Sequence, residues 1–262
     1  MVEQSGQSGD RGMVKPADHA EAARLAGAAG RMLVELRRGI GTELSPEQGR
    51  HEGDRRSHEF LSRAITELFP HDGLLSEEGA DSAVRLGRRR VWVVDPLDGT
   101  REFGEPERTD WAVHVALAVD GRAVVGAVAL PARDIVLSTE LPPAAPVPLD
   151  GPLRVLVSRT RPPASAQRLA DLLEGVTVPM GSAGAKAMAV VLGDADVYFH
   201  AGGQYEWDSA APVAVAASAG LHVSRVDGSA LRYNQPNPWL PDVLVCRADI
   251  ADDVLAALQS CI

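Results

Sequence analysis

Lysine is nearly missing from this chain of 262 residues: it occurs only at Lys15 and Lys186, and arginine supplies the remaining basic side chains. The accompanying Ala, Gly and Arg richness reads as a coding bias and carries little chemistry, but the scarcity singles out Lys186. Cysteine is also sparse. Cys246 and Cys261 are too few for a disulfide framework or a thiolate zinc site and read as reduced thiols. Positive charge is short, with 26 basic against 36 acidic residues and a formal net charge of -10, which argues against a nucleic-acid polymer as partner. An acidic protein can still bind phosphate esters where metal ions or backbone amides supply the positive potential. No stretch approaches the roughly 20 consecutive apolar residues of a membrane span. The opening residues, MVEQSGQSGDRG, have no apolar core of a signal peptide. The expectation is a cytoplasmic protein with no membrane partner. Hydrophobic residues at 45% and charged ones at 24% are ordinary for a globular protein, so neither wholesale disorder nor a fibrous repeat fits.

At about 150 residues per domain, the length predicts two domains or one large one. Residues 1–14 read as a frayed tail. Asp18 and Glu21 fit a helix start, followed by an Ala-rich helix to about Arg38, with Gly39, Gly41 and Pro46 as breakers. A second helix is predicted from about Arg55 to Phe69, with the charged stretch 51–58 as its exposed start. Leu74-Leu75 reads as a short strand, and residues 91–94 as a buried one, with Arg88 to Arg90 as a solvated loop before it. Residues 111–119 alternate as a half-buried strand on which His114 faces solvent or a hydrogen-bond partner. Asp120-Gly121 then turns the chain into a return strand at 123–130. Strand 135–138 completes an N-terminal α+β domain at 15–141. Five prolines between 142 and 152 mark a linker. The C-terminal α/β domain, 153–262, shows strands at 154–158, 197–200 and 243–246, with a helix and then a further strand following the first of them. It also shows helices near 184–192, from about Asp208, and at the C-terminus. The order predicts a layered α/β to α+β sandwich.

The chemistry concentrates at Asp95-Pro96-Leu97-Asp98-Gly99-Thr100, at the end of the buried strand, where α/β proteins place ligands. Two carboxylates three residues apart in a turn can converge. The Leu97 carbonyl, expected to be unpaired there, can join them, and oxygen donors of this kind suit a hard cation such as magnesium. Gly99 permits close backbone approach, and the Gly99 and Thr100 amides point towards an anion. Glu77-Glu78 follows an earlier short strand, and Asp208 precedes a helix of small residues. Packed together, Glu77, Asp95, Asp98 and Asp208 would repel one another without a cation between them. Walker, H-E-x-x-H and G-x-S-x-G motifs are absent.

Ser76-Glu77-Glu78, Trp92 to Thr100 and Trp207-Asp208-Ser209-Ala210-Ala211, in that order, resemble the signature set of the inositol monophosphatase superfamily. The resemblance implies a magnesium-dependent phosphomonoesterase with a layered αβαβα sandwich. It implies Glu77, Asp95, Leu97 (through its carbonyl), Asp98 and Asp208 as ligands of two or three magnesium ions. Thr100, Glu77 and Asp54 are implied to orient or activate the attacking water. At Asp54 the usual Thr-x-x-Asp context is replaced by His51-Glu52-Gly53-Asp54.

Within the superfamily, Thr100-Arg101-Glu102-Phe103, the run from Gly181 to Met188 and Asp227 to Asn234 resemble the CysQ branch, which hydrolyses 3'-phosphoadenosine 5'-phosphate. The implied substrate is this nucleotide bisphosphate, with its sulfated form, in sulfur assimilation. Leu97, Asp98, Gly99, Thr100, Arg101, Ser182, Lys186, His200 and Asp208 would contact it, and Lys186 would act as the point charge for the second phosphate. His200 stands where nucleotide phosphatases tend to have Arg. Tyr233 and Trp239 suit core packing, with adenine contact the other role open to them. Inositol 1-phosphate or fructose 1,6-bisphosphate would use the same chemistry. An inactive phosphate-ligand sensor would be expected to lack one of the acids or Thr100, and none is missing. Either a monomer or a homodimer is compatible with the sequence.

Overall fold

The structure, a computed structural model, describes residues 14–148 and 150–261. Apart from Val14, the tail expected at 1–14 lies outside the described residues. Two long helices come first. α1 (Pro16–Arg37) begins before the Asp-x-x-Glu segment, because Pro16 suits a first helical position and the Asp18 carboxylate reaches back to accept from the Lys15 amide at 2.8 Å. α2 (Pro46–Leu68) begins well before residue 55. Pro46 is again a first helical residue and not a breaker, and Ser45 and Gln48 form a capping box. The charged stretch 51–58 is therefore mid-helix. Its outer face pairs Arg55 and Arg56 with Glu52 and Glu59, while Gly49, Gly53, Ser57, Leu61 and Ile65, each four apart, form the buried stripe.

The first sheet runs β1 (Gly73–Ser76), β2 (Arg90–Asp98), β3 (Ala112–Val119), β4 (Arg122–Leu130), β5 (Ile135–Ser138) in that spatial order, with only β1 and β2 parallel. A single turn of helix, α3 (Thr100–Phe103), follows β2. Asp120 and Gly121, both at positive φ, close the β3–β4 hairpin. Arg90 is not in a solvated loop. It opens β2, buried, with its guanidinium on Asp18 at 2.9 and 3.0 Å and on Asp72 at 3.0 Å. β3 is buried on both faces, not half-buried. Val113, Val115 and Leu117 pack among the residues of α1 and α2, while Ala112, Ala116 and Ala118 pack on the other side. The alternation is one of size and not of polarity, and the small side admits helices closely.

The second sheet has the order β7 (Val176–Met180), β6 (Arg154–Ser158), β8 (Val197–Tyr205), β10 (Trp239–Cys246), β9 (His222–Ser224). β6 is parallel to both neighbours; β8, β10 and β9 are antiparallel. α4 (Ala166–Leu172) and α7 (Ala251–Cys261) cover its outer face, and α5 (Ala183–Val191) and α6 (Glu206–Ser218) lie between the sheets. The layers read αβαβα. β8 and β10 run longer than the sequence suggested, and β9 was not foreseen at all. At the tightest point of the middle layer, a Cβ on Gly126 of β4 would lie 2.7 Å from the Ala211 carbonyl oxygen and 2.8 Å from Ala214 Cβ, so α6 rests directly on bare backbone.

Candidate active site

β2 ends in the Asp95–Asp98 segment. Its pairing with β3 slips between Asp95 and Asp98, at the point where Pro96 has no N–H to offer the ladder. Ser57 of α2 donates to the Pro96 carbonyl at 2.7 Å, and the Leu97 amide donates to Asp95 Oδ1 at 3.1 Å. The turn is thereby wound around Asp95. Gly99 has φ 83°, and a Cβ there would meet Ser182 Cβ at 3.1 Å and the Asp110 carbonyl at 3.2 Å, so two reasons require glycine.

Asp95 and Asp98, both buried, and Asp208, from the first turn of α6, each offer an oxygen, and these oxygens lie within 4.8 Å of one another. Glu77 stands just past β1 at the exposed rim, close enough to Asp95 for the two carboxyls to shift each other's titration. Of the four acids expected to converge, Asp95, Asp98 and Asp208 bring oxygens within 4.8 Å of one another, while Glu77 lies outside that group and lines the same cavity as Asp98 and Asp208. Burial, then Glu77, Asp98 and Asp208 together push Asp95 well above the carboxylate range. Enclosure by protein, then Asp208, raises Glu77 to about 7. Burial, then Asp98, raises Asp208 to about 6. Asp98 behaves oppositely. Burial works against its charge, but His114, the Ser182 hydroxyl and Lys186 outweigh it and hold Asp98 at about 2. Among the described residues no Lys or Arg pairs with Glu77, Asp95 or Asp208. A cluster of hard oxygen donors short of positive charge fits a hard divalent cation.

These shifts fix a pH dependence. A carboxyl whose pKa is raised in the folded state binds protons more tightly there than in the unfolded chain, so ionising it favours unfolding. Metal-free protein is therefore expected to lose stability as pH rises from about 4, the ordinary carboxylate value, through about 6 and 7, the folded values of Asp208 and Glu77. Millimolar magnesium should flatten that slope. Melting temperatures across pH in chelator and in magnesium measure it; a metal-free Tm that climbs over this window would contradict the cluster's electrostatics.

Thr100 Oγ1 lies 3.0 Å from the Leu97 carbonyl and 3.3 Å from Asp54 Oδ1. The Leu97 carbonyl, expected to be unpaired, has the Thr100 hydroxyl within reach, but that group has one proton for two acceptors, and donating it to Asp54 leaves the carbonyl open. Asp54, from the middle of α2, is raised to about 7 by burial and then by Glu78, against the Thr100 hydrogen bond. Asp98 also fastens the start of α5. It accepts from Ser182 Oγ at 2.5 Å, from Gly184 N at 2.7 Å and from Ala183 N at 3.2 Å.

Glu77, Asp98 and Asp208 line a cavity of about 580 Å³ whose walls also include Arg101, Ser158, Arg161, Lys186, Tyr198 and His200. Lys186 is 5% exposed, and its ammonium donates to the Ser182 carbonyl at 2.6 Å and the Gly181 carbonyl at 3.3 Å. Burial lowers its pKa, with Asp98 pulling the other way. His200 Nε2 lies 3.0 Å from the Gly203 carbonyl, so the ring fastens its own strand. Arg101 and Arg161 are exposed, while Arg159 is held by Glu102 and Glu105. Tyr233 is core, with its hydroxyl 3.3 Å from Ser209 Oγ, but Trp239, expected to suit the core, is 48% exposed at the start of β10, and neither lines the cavity. Sequence reasoning missed Ser158, Arg161 and the stacked pair Tyr205–Trp207, whose ring centroids are 4.7 Å apart. The available signal was position: Ser158 ends a parallel strand, and ligands collect at such ends.

The sequence profile described as the inositol monophosphatase family matches residues 19–262. The chain belongs to that family. A relative from Mycobacterium tuberculosis (strain CDC 1551 / Oshkosh), named 3'-phosphoadenosine 5'-phosphate phosphatase, is 50% identical over 238 residues, covering 88% of this chain and 89% of the relative. The 3'(2'),5'-bisphosphate nucleotidase CysQ of Escherichia coli (strain K12) is 32% identical over 199 residues, 71% of this chain and 80% of its own. Among solved structures, CysQ from Bacteroides thetaiotaomicron superposes with a TM-score of 0.76 at 25% identity, covering 88% of this chain and 97% of that one. The family fold is that of the Anabaena inositol monophosphatase as well, with a TM-score of 0.76 at 22% identity over 94% and 96% of the two chains. Metal dependence is a property of this family, and the acidic cluster of the present chain is able to bind metal. Among the described residues no helix is long and apolar enough to cross a membrane.

Proposed function

We propose that this chain is a magnesium-dependent phosphoric monoester hydrolase. Its reaction would remove the 3'-phosphate of 3'-phosphoadenosine 5'-phosphate, and of the sulfated form, within cytoplasmic sulfur assimilation. The observation that carries the proposal is the acidic cluster, in which among the described residues no Lys or Arg pairs with Glu77, Asp95 or Asp208, beside a cavity whose walls also carry Arg101, Arg161 and Lys186. Two relatives whose printed names specify this nucleotide chemistry support the substrate.

Glu77, Asp95, the Leu97 carbonyl, Asp98 and Asp208 would hold two or three magnesium ions. Magnesium bound there would supply the charge that makes a water nucleophilic near neutral pH and that stabilises the leaving alkoxide. The chain's own part is positional and protolytic. Asp54 accepts the Thr100 hydroxyl proton, which leaves the Thr100 oxygen lone pairs to orient the attacking water, and Glu77 receives a proton from it. Gly99 and Thr100 present backbone amides to the phosphate oxygens, with Arg101 beside them. The second phosphate of the substrate meets Arg161 and the field of Lys186, and Ser182 and His200 keep that wall in shape. The exposed Tyr205 ring, stacked on Trp207, offers adenine a flat face. All these residues come from one chain, so the site would serve a monomer or a homodimer.

Phosphate release from the nucleotide, inositol 1-phosphate and fructose 1,6-bisphosphate tests the reading. The nucleotide is expected to lead in kcat/KM by at least about tenfold, roughly 1.4 kcal/mol, and chelator should abolish release until magnesium is restored. Equal turnover of the three esters would remove the substrate assignment, and release indifferent to chelator would remove the mechanism.

A further inference from the structure

His114 sits in the middle of β3, wholly buried, on the face where its neighbours Ala112, Ala116 and Ala118 are small. Placing an imidazole there removes two polar nitrogens from water, which is unfavourable unless both find partners. Nδ1 lies 3.0 Å from the Trp207 carbonyl, and a carbonyl can only accept, so Nδ1 carries a proton. Nε2 lies 3.2 Å from Asp98 Oδ2, close enough for a charge contact but not aligned as a hydrogen bond, and it has no hydrogen-bond partner among the described residues. Above the ring passes the first turn of α5. A Cβ on Gly184 would fall 2.0 Å from Nε2, so the helix clears the imidazole only because residue 184 has no side chain. The ring therefore touches three elements at once: the Asp98 turn, the start of α5, and the first turn of α6 one residue before Asp208. Asp98 Oδ2 already receives Ser182 Oγ and Gly184 N, whereas Oδ1 receives only the Ala183 amide at 3.2 Å.

We propose that His114 is a positioning residue of the metal site, with Gly184 as its steric counterpart. By spanning Asp98 Oδ2 and the Trp207 carbonyl, it fixes the separation of Asp98 from Asp208 and leaves Asp98 Oδ1, which accepts only the Ala183 amide, as the oxygen with capacity for an ion. This inference rests on the metal reading given above. A ring that merely filled space could be replaced by leucine without consequence for ion binding.

Isothermal titration of magnesium into the full chain tests it, with melting temperatures in chelator reporting the fold. His114→Leu is expected to bind magnesium about 10–100-fold more weakly, the usual cost of losing a group that orients a ligand. His114→Gln, whose amide can replace Nε2 but not Nδ1, should recover part of that loss. Gly184→Ala should weaken magnesium binding in the wild-type background and add nothing in a His114→Ala background, because the clash is with the ring. Wild-type affinity in His114→Leu would overturn the proposal. Where that variant does not fold, the Gly184 cycle decides, and an effect of Gly184→Ala that persists without the ring overturns it equally. If the unaltered protein binds no divalent cation, the metal reading and this inference fall together; binding by wild type with unchanged variants sinks this inference alone.

Discussion

Replacing Asp95 by asparagine is expected to cost about a thousandfold in kcat/KM, roughly 4 kcal/mol, while raising the melting temperature of the metal-free protein. The two effects share one cause. Asp95 is 1% exposed, it faces Glu77, Asp98 and Asp208, and its pKa lies well above the usual range through burial and their charge. In the absence of an ion its ionisation opposes folding. Asparagine keeps the Oδ1 acceptor for the Leu97 amide and adds a donor towards Glu77, so the turn should survive. What disappears is an anionic ligand, and with it the stabilisation that bound magnesium gives to the folded state. The wild type should melt higher in magnesium than in chelator, and the variant should show little difference. A variant that keeps activity, or that melts lower than wild type in chelator, would mean that Asp95 is not a ligand in a strained acidic cluster.

Thr100→Val should lower kcat by about a hundredfold or more with KM little changed, since positioned proton acceptors contribute on that scale and the amide of residue 100 survives. The hydroxyl is the link between Asp54 and the Leu97 carbonyl. Without it Asp54 loses the hydrogen bond that restrains its pKa, already about 7, and protonates more readily. Thr100→Ser should retain most of the rate. Steady-state kinetics on the nucleotide decide: a raised KM with unchanged kcat would make Thr100 a binding group and not one that orients water.

The parts of the site that could be read from sequence are those in which neighbouring residues carry the information. Asp95 and Asp98 lie in one turn, and the short segments around Glu77 and Asp208 have recognisable flanks. Even Asp54, in the unfamiliar run from His51, arrives beside Thr100. Other parts depend on contacts that a linear string does not display. His114 lies in a strand whose alternation of large and small side chains looks like alternation of inside and outside, and only the helices above β3 reverse that meaning. The scarcity of lysine drew notice to Lys186, but not the fact that its ammonium turns back onto the Gly181 and Ser182 carbonyls. Arg161 gains importance from following a strand that is parallel to its neighbours, and parallel pairing is a property of the assembled sheet. The helix starts lie elsewhere than the sequence suggests because Pro46, read as a breaker, opens α2, and because α1 opens at Pro16, ahead of the Asp18–Glu21 pattern.

The bare backbone of Gly126 beneath α6 gives the site a mechanical gauge. Asp95 and Asp98 belong to the first sheet and Asp208 to the helix lying upon it, so the gap that the proposed ion would bridge is a clearance between two layers and not a loop that can adjust. A single methyl group inserted under Ala211 would act as a shim, lifting the helix and widening every distance from its carboxylate at once. The spacing of the proposed ion site is thus held in a residue that has no side chain and stands outside the cavity lining.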